Sequence, residues 1–294
     1  VPRRTVFVFA PTPARMNATD EWYDVTRLTD RSYRITEAGR YGAFLAEGTE
    51  RSVLVDAGIG VGDLAGLVTE LVETPVTLVL THTHWDHIGA AAQFDDVCVS
   101  PPELPSDGRI AIDSLSGEFV ERPTQFTARW LDAGNEFPDG FDPDKYAIEP
   151  ADAIALSADG SIDLGDRALE AVPLPGHSPG HIGLIDPETA TLYGGDVIHF
   201  DHGLYIHFED SDIDEYIESF RRVRTLREDG AFETLATSHN EPLSGSNLSL
   251  IDELLTGLQE IRADERAAET VETDWGSAHL YRINGSDVLT STNV

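Results

Sequence analysis

Apolar positions in the first quarter of the chain come in short runs separated by turn residues. Residues 24–28, 32–36, 41–46 and 51–55 each read as a strand, and their close spacing predicts an antiparallel start. Across 61–72 the pattern changes: Leu64, Leu67, Val68 and Leu71 recur at helical spacing, and Pro75 then breaks the helix. The unbroken apolar run 76–80 reads as a strand buried on both faces, and it ends in Thr81-His82-Thr83-His84-Trp85-Asp86-His87. A short helix over 88–94 and a strand over 97–100 complete this part.

From 101 to 150 the periodicity loosens, with several prolines and scattered aromatics at Phe119, Phe126, Trp130, Phe137, Phe141 and Tyr146. A stretch this long and this aromatic reads as an insertion that caps a site, or as a decorative loop. Strand signals return at 168–174, 182–185 and 191–193. A helix over 213–227, a strand over 234–236, a helix over 248–263 and strand-like pieces at 279–283 and 288–290 follow. Strands and helices thus recur in both halves, which predicts an α+β chain with a two-sheet core flanked by helices. The expected organisation is one domain over 1–294, with the insertion at 101–150 and a C-terminal extension at 265–294 whose apolar residues pack an interface or close a sheet edge.

Charge changes the picture of partners more than that of the fold. The 53 Asp and Glu against 20 Lys and Arg give a net charge of −33, although the charged fraction is an ordinary 25%. Four Trp and twelve Phe can anchor a sizeable core, so disorder is not expected. A surface this negative repels phosphates and anionic lipids, which argues against nucleic acid and membrane partners. Lys145 is the only lysine; a carboxylate-rich, lysine-poor surface resembles the proteins of salt-in halophiles, where salt screens the self-repulsion. The apolar run 6–10 is too short for a membrane span or a signal segment, so a soluble, cytoplasmic protein, monomer or homodimer, is expected. Cys98 is the single cysteine, which rules out an internal disulfide and a cysteine-rich zinc module, and it reads as a small buried hydrophobe.

The chemistry concentrates where the buried strand ends. His82, His84, Asp86 and His87 bring three imidazoles and a carboxylate within six residues, a donor set suited to a divalent ion such as zinc. Further along, His177 in Pro175-Gly176-His177-Ser178-Pro179-Gly180-His181, Asp196 in Tyr193-Gly194-Gly195-Asp196 and His239 in Thr237-Ser238-His239-Asn240 each follow an apolar strand and precede a turn.

This order of motifs resembles the metallo-β-lactamase superfamily over roughly residues 22–245, and Leu54-Val55-Asp56-Ala57-Gly58 looks like that family's early strand and turn. The resemblance implies a four-layer αβ/βα sandwich. It implies one ion on His82, His84 and His177, a second on Asp86, His87 and His239, and Asp196 bridging them, with zinc first and iron or manganese as alternatives. Asp56 and His181 would orient ligands without binding metal. Hydroxide bridging the ions would attack a thioester, lactone or related small carboxylic ester, with Asp86 passing a proton to the leaving group. Tyr205 would donate a hydrogen bond to substrate. His199, His202 and His207 read either as pocket-lining or as surface residues. The set is similar to the glyoxalase II, lactonase and thioesterase branch, and the C-terminal extension to acyl-CoA thioesterase-like members. Arg109, Arg122, Arg129, Arg221 and Arg222 are candidate anion contacts. Competing readings are an iron-dependent persulfide dioxygenase-like oxidoreductase with one ion, and a catalytically silent protein that keeps its metal for stability.

Overall fold

The computed structural model describes residues 22–292 except 115, 157–159, 200 and 201, and they divide into two compact units, 22–169 and 170–292. The apolar run at 6–10 lies outside the described residues. Among the described residues no helix is long and apolar enough to cross a membrane.

In the first unit β1 (Tyr23–Thr29), β2 (Ser32–Glu37), β3 (Tyr41–Ala46) and β4 (Ser52–Val55) form an antiparallel run, in register at Val25↔Ile35, Ile35↔Ala43 and Phe44↔Val55. After α1 (Leu64–Leu71), β5 (Val76–Leu80) and β6 (Val97–Val99) continue the sheet in parallel, with Val55↔Val79 and Leu80↔Val99 aligned. These central strands are almost wholly buried, as their unbroken apolar runs require in the absence of alternation. β7 (Arg109–Ile110), α2 (Arg122–Asp132), β8 (Ala151–Asp152), β9 (Ile154–Ala155) and β10 (Ser161–Asp163) follow, and β9 adds to the sheet, giving the order β1-β2-β3-β4-β5-β6-β9. Asp63 caps α1 by accepting the Gly66 N–H at 2.8 Å.

Two sequence expectations change here. The helix expected over 88–94 is only a 3₁₀ turn, Ala91–Gln93. Its backbone is engaged elsewhere: Gly89 and Ala90 donate to the Gly58 and Ala57 carbonyls, and the His87 carbonyl accepts from Ala57. The stretch 101–150, in contrast, contains the eleven-residue α2. Its buried face is Arg122, Pro123, Phe126, Thr127 and Trp130, and the two polar members at core positions hide the helical period. Trp130 and Phe126 join Trp22 and Phe137 in one aromatic cluster with ring centroids 5.3–6.2 Å apart.

The second unit begins within β11 (Ala168–Pro173), followed by β12 (Ile182–Asp186), β13 (Thr191–Tyr193), β14 (Leu204–Ile206), α3 (Ile213–Glu228), β15 (Thr234–Ala236), β16 (Leu243–Ser244) and α4 (Leu250–Arg262). The main sheet runs β11-β12-β13-β15-β16; β13 and β15 are parallel, the other pairs antiparallel. Tyr216, Phe220 and Val223 of α3 and Ile251, Leu254, Leu255 and Leu258 of α4 pack with Leu192 and Leu235 in its core. The C-terminal extension forms β17 (Glu269–Thr273), β18 (Gly276–Ile283) and β19 (Ser286–Ser291), a meander that takes in β14 by parallel pairing, with Tyr205↔Leu289 aligned. β17 gives no strand signal because only Val271 of its five residues is buried.

Candidate metal centre

In the first unit the histidine loop leaves the C-terminal end of β5, beside the end of its parallel neighbour β4, where backbone groups are spent and a turn can aim side chains outward. His82, His84 and His87 are buried, and the His82 ring centroid lies 4.4 Å from that of His84 and 4.1 Å from that of His87. Asp56, the residue after β4, sits in the left-handed region at φ 64°, a conformation that asparagine and aspartate tolerate best among residues with a Cβ. Its Oδ1 accepts the Thr81 N–H at 2.8 Å, the Thr81 hydroxyl lies 3.0 Å from both carboxylate oxygens, and Oδ2 is 2.8 Å from His87 Nδ1. Thr81 Oγ1 is also 3.0 Å from His82 Nδ1. A hydroxyl that donates to Asp56 accepts from His82, so both rings carry their proton on Nδ1 and keep Nε2 as the ligating nitrogen.

The loop is braced on two further sides. Buried Glu103 accepts the Thr83 N–H at 3.1 Å and the Thr83 hydroxyl at 2.7 Å. Buried Glu37 gathers the turn after Asp56: its carboxylate accepts the N–H groups of Ile59 (2.8 Å), Gly60 (3.1 Å), Val61 (2.9 Å) and Gly62 (3.4 Å) and the Trp22 Nε1–H at 2.7 Å. Burial pushes the Glu37 carboxyl up, while these donors favour the ionised form, the only one that can accept from all of them. That turn lies against the histidine loop so closely that a Cβ on Gly89 would meet the Ile59 carbonyl carbon at 2.0 Å. Asp86 is nearly buried, with Oδ1 4.0 Å from His87 Nε2. Burial, and then the Asp86 charge, raise the Tyr41 phenol. Phe119 lies on the His84 ring at 4.3 Å.

In the second unit Asp196 and His239 follow the ends of β13 and β15, again two parallel neighbours, and His177 follows β11. Gly176 puts His177 in place: at φ 127° it packs so tightly on α3 that a Cβ would meet the Tyr216 nitrogen at 2.5 Å. His177 Nδ1 is 3.4 Å from the Tyr205 carbonyl. The Asp196 backbone is fixed from both sides, its N–H donating to His181 Nε2 at 3.0 Å and its carbonyl accepting from the Tyr216 hydroxyl at 3.0 Å. His181 Nδ1 lies 3.1 Å from the Leu174 carbonyl, so His181 is a neutral ring that serves the turn with both nitrogens.

The Asp196 side chain faces imidazoles. Oδ1 is 3.2 Å from His239 Nε2; Oδ2 is 3.5 Å from His177 Nε2 and 3.0 Å from His199 Nε2. A His177 proton on Nδ1 toward Tyr205 would turn the Nε2 lone pair toward the carboxylate. Such an arrangement is stable with a cation between them, and buried imidazoles and carboxylates are the donors a divalent ion takes. The residues therefore fit a metal.

Residues 42–230 match the metallo-beta-lactamase superfamily. The chain belongs to this superfamily. The acyl-coenzyme A thioesterase MBLAC2 of Gallus gallus is 30% identical over 221 residues, 70% of this chain and 75% of that protein. MBLAC2 of Homo sapiens is 28% identical over 241 residues, 74% and 81% of the two chains. Among solved structures, a metallo-beta-lactamase from Pontibacter korlensis has a TM-score of 0.54 at 18% identity, covering 81% of this chain and 99% of that one. The α+β metallo-β-lactamase fold read from the motifs is thus the fold of the chain, and the superfamily, its hydrolase relatives and the His/Asp clusters support a hydrolase with a divalent-metal site.

Three residues close to the superfamily motifs escape sequence reasoning as site residues. Glu37 ends a strand, and Glu103 lies in a proline-rich turn, in a chain where acidic residues are too common to stand out. His199, left open between pocket and surface, is 7% exposed and beside Asp196. Its position three residues after Asp196 was the available signal. Of the other residues singled out, Tyr205 is half-buried with its ring 4.2 Å from that of His199, and His207 lies between Tyr205 and Trp275.

Proposed function

We propose that the protein is a dinuclear metal-dependent hydrolase of thioesters, with an acyl-CoA-like thioester ahead of lactones and other carboxylic esters. The carrying observation is Asp196, whose two oxygens face different imidazoles, Oδ1 toward His239 and Oδ2 toward His177, as a carboxylate shared between two ions requires. In this reading His82, His84 and His177 hold one ion, Asp86, His87 and His239 the other, and Asp196 both. Zinc is the first candidate, iron or manganese the alternatives. When bound, such ions would lower the pKa of water toward neutrality and polarise an ester carbonyl. The chain's own residues set the stage: Asp56 and Thr81 fix the tautomers of His87 and His82, His181 and Tyr216 hold the Asp196 turn, and in this reading Asp86 would pass a proton to the departing thiolate. The likeness to the MBLAC2 thioesterases supports the thioester class.

The test is elemental analysis of protein purified in high salt, together with hydrolysis of an acyl-CoA, the matching N-acetylcysteamine thioester and a lactone, before and after chelation. About two ions per chain and chelator-sensitive thioester turnover are expected. One iron with oxygen uptake and no hydrolysis would replace this reading by the dioxygenase one. Metal with no turnover of any of these esters would leave a metal-stabilised binding protein.

A further inference from the structure

His199 lies on no assigned ligand set, yet it belongs to a group of ligating atoms within the second unit. One ligand atom each from His177, Asp196 and His199 all fall within 4.8 Å of one another. Two atoms bound to one ion at about 2.0–2.2 Å, at angles between the octahedral and tetrahedral values, are separated by about 2.8–3.6 Å. The separations from Asp196 Oδ2, 3.5 Å to His177 Nε2 and 3.0 Å to His199 Nε2, fall within that interval.

The His199 ring is not a mobile surface group. Its backbone N–H donates to the Gly203 carbonyl at 2.9 Å, and its own carbonyl accepts from Asn240 Nδ2 at 2.8 Å. The ring packs, tilted, against Tyr205, at 4.2 Å and 33°, and against His239, at 4.6 Å and 39°. Held this way, Nε2 is presented to the same carboxylate oxygen as His177 Nε2.

We propose that His199 is a metal ligand, supplying a further nitrogen to the ion held by His177 and Asp196 Oδ2. This rests on the dinuclear reading above, in which that ion already has His82, His84, His177 and Asp196. One more nitrogen would give it five protein ligands, and six donors with the bridging hydroxide, which suits metals that accept six ligands, such as manganese, iron or cobalt, better than a tetrahedral zinc site.

The test uses the full chain loaded with Co(II), whose visible absorption is weak when six-coordinate and intense when four-coordinate. In the wild type, one of the two ions is expected to contribute only weak bands, with X-ray absorption consistent with the extra imidazole. His199→Ala is expected to intensify the bands and to weaken one of the two metal-binding steps by more than about 100-fold, the upper end of what loss of a merely orienting residue costs. His199→Asn keeps a hydrogen-bond donor for Asp196 without the imidazole. If either variant, shown folded by its apo melting curve, has wild-type spectrum and affinity, His199 only hydrogen-bonds Asp196 and the proposal is overturned while the dinuclear reading stands. A wild type that takes up no metal overturns both.

Discussion

The two units build a site on the same plan and use the carboxylate in opposite ways. Each has two parallel neighbouring strands, β4 and β5 in the first and β13 and β15 in the second, with an aspartate following one strand and histidine following the other. In the first unit Asp56 is occupied by N–H and O–H donors from Thr81 and His87. In the second the backbone of Asp196 is fixed by His181 and Tyr216, and its carboxylate oxygens face three imidazole nitrogens. The lesson is that a buried aspartate at a strand end is assigned by what its oxygens meet. One surrounded by donors orients its neighbours; one facing Nε2 atoms has the donors a cation takes.

The sharpest way to break this contrast is to remove both charges in turn. Asp196→Asn is expected to abolish stoichiometric metal binding. Asp56→Asn, which keeps a residue at ease at positive φ, should weaken binding by about 10–100-fold with the stoichiometry intact. Competition with a chromophoric chelator measures both. Equal losses in the two variants would show that the aspartates are not doing different work.

A smaller effect separates the site's metal affinity from the frame that carries it. Glu37 touches no histidine but ties down the turn after Asp56 with five donors. Glu37→Gln turns an NH₂ toward some of them, and the expected loss is about 3 kcal/mol of stability, on the scale of hydrogen bonds to a charged group. Urea unfolding of the metal-free protein should show a lower midpoint at unchanged slope. An unchanged midpoint would mean the turn is held by its backbone pairing with the histidine loop alone.

The two units also differ in how far sequence alone reveals them. The histidine loop is contiguous, so its donors are legible as a group, and the unbroken run Val76–Leu80 marks the buried strand that presents them. His177, Asp196 and His239 are far apart in the chain, and only the order of motifs joins them. Beyond Asp56 and His181, what sequence could not reveal is the rest of the supporting layer. Glu37 and Glu103 act through backbone donors and leave no spacing pattern, and α2 hides because Arg122 and Thr127 occupy its buried face. The 3₁₀ turn at Ala91–Gln93 illustrates the opposite error, a helical pattern overridden by long-range backbone pairing with Ala57 and Gly58.

The smallest expected effect lies at the surface and extends the comparison between units. In the first, Asp166 meets both Arg31 guanidinium nitrogens, one at 3.1 Å, and accepts the Thr49 N–H at 3.1 Å. In the second, Asp214 accepts from Arg262 Nε at 2.7 Å. The Arg31 hydrogen bonds first, then the Thr49 N–H, hold the Asp166 carboxyl well below the usual carboxylate range, and Arg262 lowers Asp214. A carboxyl depressed in the folded state contributes stability that is fully present above its unfolded pKa and fades as pH falls toward its folded one. Arg31→Met should therefore lower the urea midpoint slightly at neutral pH, and the gap to wild type should close below about pH 4, the range in which unfolded aspartates titrate. Arg262→Met should do the same more weakly, because exposed pairs are screened and the single-nitrogen contact is the less constrained of the two. A larger loss from Arg262→Met would reverse that ranking and show that contact geometry does not govern these exposed pairs.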